Sequence, residues 1–146
     1  GYQGAQPSRC KCTPEQVQRY GARLSGPWMD RIDMRVPVMA LSPEHMLHAP
    51  TAERSEQVRK RCQAAHDRAL QRQGVANHAL TPAQLTLLAI TPEAQNHLMQ
   101  FATAQGMSAR AVHRSLRVAQ TIADLDASPR IEHLHVAQAL HYRQGH

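Results

Sequence analysis

The sequence has 146 residues, 42% of them apolar, and no apolar run comes near the roughly 18 residues of a membrane-spanning helix. Seventeen basic residues against 11 acidic ones give a formal net charge of +6, which favours anionic partners such as nucleotide, nucleic acid or an acidic protein face. Three cysteines, an odd number, argue against a disulfide scaffold and for a reducing, cytoplasmic compartment.

The chain opens on Gly1 rather than Met, with no leader pattern of charged, apolar and small residues, and is expected to begin inside a longer protein. With one Trp, one Phe and three Tyr, the core must come from Leu, Val, Ile, Met and Ala, which suits packed helices better than a sheet. Residues 1–12 are rich in Gly, Pro and polar residues and read as a loop. Thr13, Pro14 and Gln16 carry the N-cap, first-turn and capping-box signals of a helix running to about Leu24, stopped by Ser25-Gly26-Pro27. A short turn over Trp28–Arg31 precedes the alternating Ile32, Met34, Val36 and Val38, which predict a strand whose sheet partners lie outside this sequence.

Residues 40–52 carry two prolines and read as a linker. Residues 53–73 predict a helix with Val58, Cys62, Ala65 and Ala69 on its inner face, so Cys62 is expected to be a small buried apolar residue. After a break over Gly74–Ala79, Thr81-Pro82 opens a short helix to Ala89. Thr91-Pro92 opens another to Gln105, with Leu98 and Phe101 inward and Gly106 as its stop. Ser108 caps a helix over 109–125, and Ser128-Pro129 precedes a last one over 131–143.

In the helix over 109–125, Val112, Leu116, Ala119 and Ala123 share the inner face, while Arg110, Arg114 and Arg117 cluster on the opposite face. Like charges at that spacing repel, Arg110 also meets the unfavourable end of the helix dipole, and no acid in the first two turns compensates. Two readings stand: a solvated polar face, or a seat for phosphate or carboxylate, which the planar guanidinium fork binds bidentately. Arg31, between Asp30 and Asp33, reads on its own as a local ion pair. Cys10 and Cys12 supply half of the four ligands that structural zinc takes. The ten histidines show no ligand spacing; His133 and His135, two apart, diverge on a helix. Gly-Lys-Ser/Thr phosphate loops, dinucleotide fingerprints and Gly-x-Ser-x-Gly elbows are missing from the sequence.

Taken in order, Cys10-x-Cys12-Thr13-Pro14-x-Gln16-Val17-x-Arg19-Tyr20 and Arg23-Leu24-Ser25-Gly26-Pro27-x-x-Asp30-Arg31-Ile32-Asp33 resemble the end of the ATPase core in magnesium-chelatase-like AAA+ proteins of the ComM/YifB type. Ser108–Leu125 and the ending Ala137-x-Ala139-Leu140-x-Tyr142-Arg143 resemble their C-terminal helical domain. Trp28-Met29 departs from the family's two leucine-like residues, a conservative change in apolar volume.

The resemblance implies a mainly α fold: residues 1–41 as the tail of the α/β core, one helix and one strand with half of a Cys-x-Cys knuckle; 42–52 as linker; 53–146 as the helical lid. It implies that Arg31 is the arginine finger, the catalytic contribution of this stretch. Arg110 matches the lid's sensor arginine and would bind nucleotide together with Arg114 and Arg117. Cys10 and Cys12 would hold zinc only with two further cysteines upstream. ATP and Mg²⁺ would serve the longer parent, a motor in a homo-oligomeric ring, expected to be a hexamer, acting on DNA in branch migration during natural transformation. This stretch alone, without the phosphate loop or Mg²⁺-binding motif, is expected neither to hydrolyse ATP nor to hold a cofactor tightly. The rivals are a chelatase-type motor remodelling a metal-insertion partner, and a non-enzymatic basic helical module on DNA.

Overall fold

The computed structural model describes residues 10–23, 26–48 and 52–144. Two compact units emerge, residues 1–32 with 37–50, and residues 33–36 with 51–146.

The first unit carries α1 (Pro14–Gly21), α2 (Gly26–Met29) and α3 (Pro43–His48). The expected capping box starts α1: the Thr13 hydroxyl accepts from the Gln16 amide at 3.3 Å, and Gln16 Oε1 accepts from the Thr13 amide at 2.9 Å. That hydroxyl also bonds the Glu15 carboxylate and holds its pKa below the ordinary value. None of the residues of α1 or α2 is buried.

Two expectations change here. The strand over 32–38 forms no ladder: these residues are neither helical nor paired to another strand, and Met34, Val36 and Val38 are exposed. A strand's hydrogen-bonding groups need a neighbouring strand, and the described residues supply none. The expected linker contains α3, because a proline is tolerated at the first helical position, where its missing N–H costs nothing.

The second unit is a helical bundle of α4 (Ser55–Gln73), a 3₁₀ turn (Asn77–Ala79), α5 (Pro82–Leu85), α6 (Pro92–Ala104), α7 (Ala109–Leu125) and α8 (His133–Gln144). Thr81, Thr91 and Ser108 cap their helices through their hydroxyls, as their positions in the sequence predict. Gly74 closes α4 at φ 74°, a left-handed conformation suited to glycine. α5 ends four residues before the expected Ala89; residues 86–88 turn and bend, and Ile90 makes an isolated parallel bridge with Ile131. There Ala89 O accepts from the Ile131 amide at 2.7 Å and Ile131 O from the Thr91 amide at 2.9 Å.

α7 is the centre of the bundle, packing on α4, α5 and α8, while α6 packs on α8. The core joins Ala94 and Leu98 of α6, Ala119, Ile122 and Ala123 of α7, Ile131, and Val136, Ala139 and Leu140 of α8. Four of these nine residues are alanines, which let the helix backbones approach closely. Val112, Leu116 and Phe101 pack against that core from its rim.

Cys62 departs from expectation. Ala65 and Ala69 are buried on the inner face of α4, whereas Cys62 and Val58 are exposed. The apolar stripe begins at the helix start, but the buried positions begin only at Ala65.

Candidate functional site

Arg110, Arg114 and Arg117 fall at i, i+4 and i+7 on α7, and helical periodicity brings all three to one side. With Pro82, at the start of α5, and His113 they line a pocket of about 360 Å³. The Ser108 cap fixes the start of α7 through the Ala111 amide at 3.2 Å, so the arginines project from a defined first turn.

The three guanidinium groups have different partners. Arg117 donates through Nη2 and Nε to the carbonyl of buried Leu80, at 2.6 and 3.2 Å. It thereby ties α7 to the turn ahead of α5. Arg114 donates through Nε to the Asp33 carboxylate; its side chain is 22% exposed and that of Asp33 51%. Arg110 is exposed and makes no side-chain hydrogen bond or ion pair among the described residues. It sits in the first turn, where the helix dipole opposes a cation. An anion at the pocket would relieve that opposition and the mutual repulsion of the three cations.

A larger cleft of about 620 Å³ shares Arg114 and Arg117 and is lined both by apolar groups, among them Met34, Val118 and Ile122, and by polar ones that include Asp33, His78 and Asp126. Arg61 also faces it; Glu53 accepts from its Nη1 and Nη2 at 2.7 and 3.2 Å, a contact that raises the Arg61 pKa above its ordinary value. Residues 33–36 are fastened beside the cleft a second time, where the Arg35 amide donates to Tyr142 O of α8 at 2.7 Å.

The structure thus gathers the three predicted lid arginines. Arg31 belongs to the first unit, where its Nη1 donates to Pro27 O at 3.0 Å. Asp33, read from the sequence as a local partner of Arg31, instead meets Arg114, 81 residues away. No spacing rule could have found that contact, because it depends on residues 33–36 lying against the bundle. A buried polar cluster around Asp124 was also missed; its one sequence signal is a carboxylate on the apolar side of α7, one residue from Ala123.

Cys10 is half-buried and Cys12 exposed, both as free thiols in the first unit, and Cys62 is in the second. Among the described residues no three His, Cys, Asp or Glu side chains converge on a possible metal position. The donors present therefore fall short of the four that structural zinc takes. The guanidinium forks, by contrast, fit phosphate oxygens. Among the described residues no helix is long and apolar enough to cross a membrane.

Residues 52–143 match the profile of the magnesium chelatase, subunit ChlI C-terminal family, and residues 1–46 match that of magnesium chelatase, subunit ChlI. The chain belongs to this family. Among curated relatives, the uncharacterized protein YifB of Salmonella typhimurium is 37% identical over 145 residues, covering 97% of this chain and 28% of the relative. The YifB of Escherichia coli gives the same figures, 37% over 145 residues, with 97% and 28% covered. The competence protein ComM of Haemophilus influenzae is 34% identical over 136 residues, covering 91% of this chain and 26% of that protein. The chain thus spans little more than a quarter of the length of these relatives. The ChlI profiles meet near the segment where the chain passes from the first unit to the second, and the arginine pocket lies wholly inside the ChlI C-terminal match.

Proposed function

We propose that this chain contributes arginines to an ATP site formed between subunits of a magnesium-chelatase-like AAA+ motor ring, a hexamer, that works on DNA. The observation that carries the reading is the convergence of Arg110, Arg114 and Arg117 on one pocket at the start of α7. When ATP is bound it supplies the phosphates on which this motor's chemistry depends. Arg110 holds phosphate oxygens from the lid, with Arg114 adding a second donor face and Arg117 fixing the pocket wall through Leu80. Arg31 acts as the finger, placing positive charge where negative charge develops on a neighbouring subunit's phosphate. The net charge of +6 suits DNA as the polymer, and the name of the Haemophilus relative, a competence protein, suits branch migration in DNA uptake.

The test uses the longer protein that supplies the phosphate loop. Arg31→Ala is expected to assemble and bind ATP but to turn it over at least about a hundredfold more slowly. Unchanged turnover in an intact assembly would remove Arg31 from the site. The family description favours a second reading, a chelatase-type motor that remodels a metal-insertion partner. Stimulation of turnover by DNA supports the first reading, and indifference to DNA supports the second.

A further inference from the structure

Asp33 holds the place beside Arg114 that a phosphate would take. Its carboxylate accepts the Arg114 Nε–H in the larger cleft, and Arg114 also lines the neighbouring pocket with Arg110 and Arg117. A carboxylate and a phosphate satisfy the same planar donor fork, so the two compete for it. The competition is uneven in mobility. Arg114 is mostly covered, whereas half of the Asp33 side chain faces solvent, so the carboxylate can turn out to water while the guanidinium stays in place. The segment is not adrift when this happens, because the Arg35 amide remains bonded to Tyr142 O.

We infer that Asp33 is an internal counter-anion gating this site: phosphate binding at Arg110 and Arg114 displaces the Asp33 carboxylate and so releases a fastening of residues 33–36. The inference rests on the phosphate-binding reading of the arginine pocket. It adds a regulatory element, since only Ile32 separates Asp33 from Arg31 in the chain. Anion occupancy at the lid thereby changes the hold on a segment that begins two positions after Arg31 in the chain.

The test titrates the 146-residue chain with tripolyphosphate, following amide and arginine Nε–H signals by NMR. Arg110→Ala is expected to weaken binding. Asp33→Asn is expected to tighten it about fivefold, the scale of a half-exposed ion pair. Removing any nearby acid would also strengthen anion binding through the general field, so the deciding variant is Asp33→Asn combined with Arg114→Ala. If Asp33 acts by occupying Arg114, the gain disappears in that background. A gain that persists without Arg114, or no gain in Asp33→Asn when wild type binds, overturns the gate and leaves the phosphate site standing. Absence of any response at Ala109–Arg117 in every variant overturns the phosphate site and the gate together.

Discussion

Arg72 on α4 forms an ion pair with Asp124 on α7, and the Asp124 side chain is only 1% exposed. Around it Asn77 Nδ2 donates to Asp124 Oδ2 at 2.7 Å, Gln120 Nε2 to Oδ1 at 3.2 Å, and Arg68 Nη1 to the Asp124 carbonyl at 2.8 Å. Asn77 Oδ1 in turn accepts from Arg72 and Gln73 at 3.0 and 2.9 Å. No buried side-chain nitrogen or oxygen among the described residues is left without a partner. A buried charge is tolerated on these terms, paired and fully hydrogen-bonded.

Arg72→Ala is expected to destabilise the second unit by about 3 kcal/mol, because it strands a buried carboxylate rather than merely deleting a contact. Urea unfolding of wild type and variant measures this. Replacing both partners together, Arg72→Leu with Asp124→Leu, should cost less than Arg72→Ala alone. A single variant within about 0.5 kcal/mol of wild type would show that the pair does not hold α4 to α7.

The small residues of the core make a separate test. Ala94 and Ala123 are fully buried where α6 and α7 meet the rest of the bundle. Ala123→Leu adds volume with nowhere to go and is expected to cost about 1–3 kcal/mol, read as a lower unfolding midpoint with the denaturant slope unchanged. Unaltered stability would mean that the helices are not in close contact at that position.

Helix positions and caps were legible because local chemistry sets them: Thr13, Thr81, Thr91 and Ser108 each announce a helix that forms. The grouping of Arg110, Arg114 and Arg117 was legible for the same reason, as helical spacing alone puts them on one side. What was hidden depends on tertiary contact. The alternation over 32–38 carries a strand's pattern but meets no partner strand, and Cys62 has a core pattern where the buried face has not yet begun. Asp33 with Arg114, and Arg72 with Asp124, join residues 81 and 52 positions apart. No periodicity encodes such pairs.

The arginines of the pocket should separate by role. Arg117→Ala leaves the Leu80 carbonyl without its two donated bonds and is expected to destabilise by about 1–3 kcal/mol. Arg110→Ala removes an exposed cation from the positive end of α7 and should leave stability within about 0.5 kcal/mol of wild type, with any change a gain. Thermal unfolding of the two variants side by side reads the contrast. Equal losses would mean that Arg110 is also structural, and its availability to an anion would have to be abandoned.

Two helices end in the same way on different residues. At the end of α6 the Met107 amide donates to Ala102 O at 2.9 Å and the Gly106 amide to Thr103 O at 3.3 Å, with Gly106 at φ 58°. At the end of α7 the Ser128 amide donates to Ala123 O at 2.9 Å and the Ala127 amide to Asp124 O at 3.3 Å, with Ala127 at φ 55°. Both are Schellman closures, and the left-handed residue costs nothing for glycine but about 1 kcal/mol or more for alanine. The unfolded chain offsets part of that difference, since glycine has more conformational freedom to lose. Ala127→Gly is therefore expected to raise stability by about 0.5 kcal/mol, whereas Gly106→Ala should lower it by about 1 kcal/mol. Open space surrounds the position a Cβ would take at Gly106, so a loss there reports the backbone and not a clash. If Ala127→Gly lowered stability instead, the methyl group of Ala127 would have to contribute more than its strained backbone costs, and the closure of α7 would differ from that of α6.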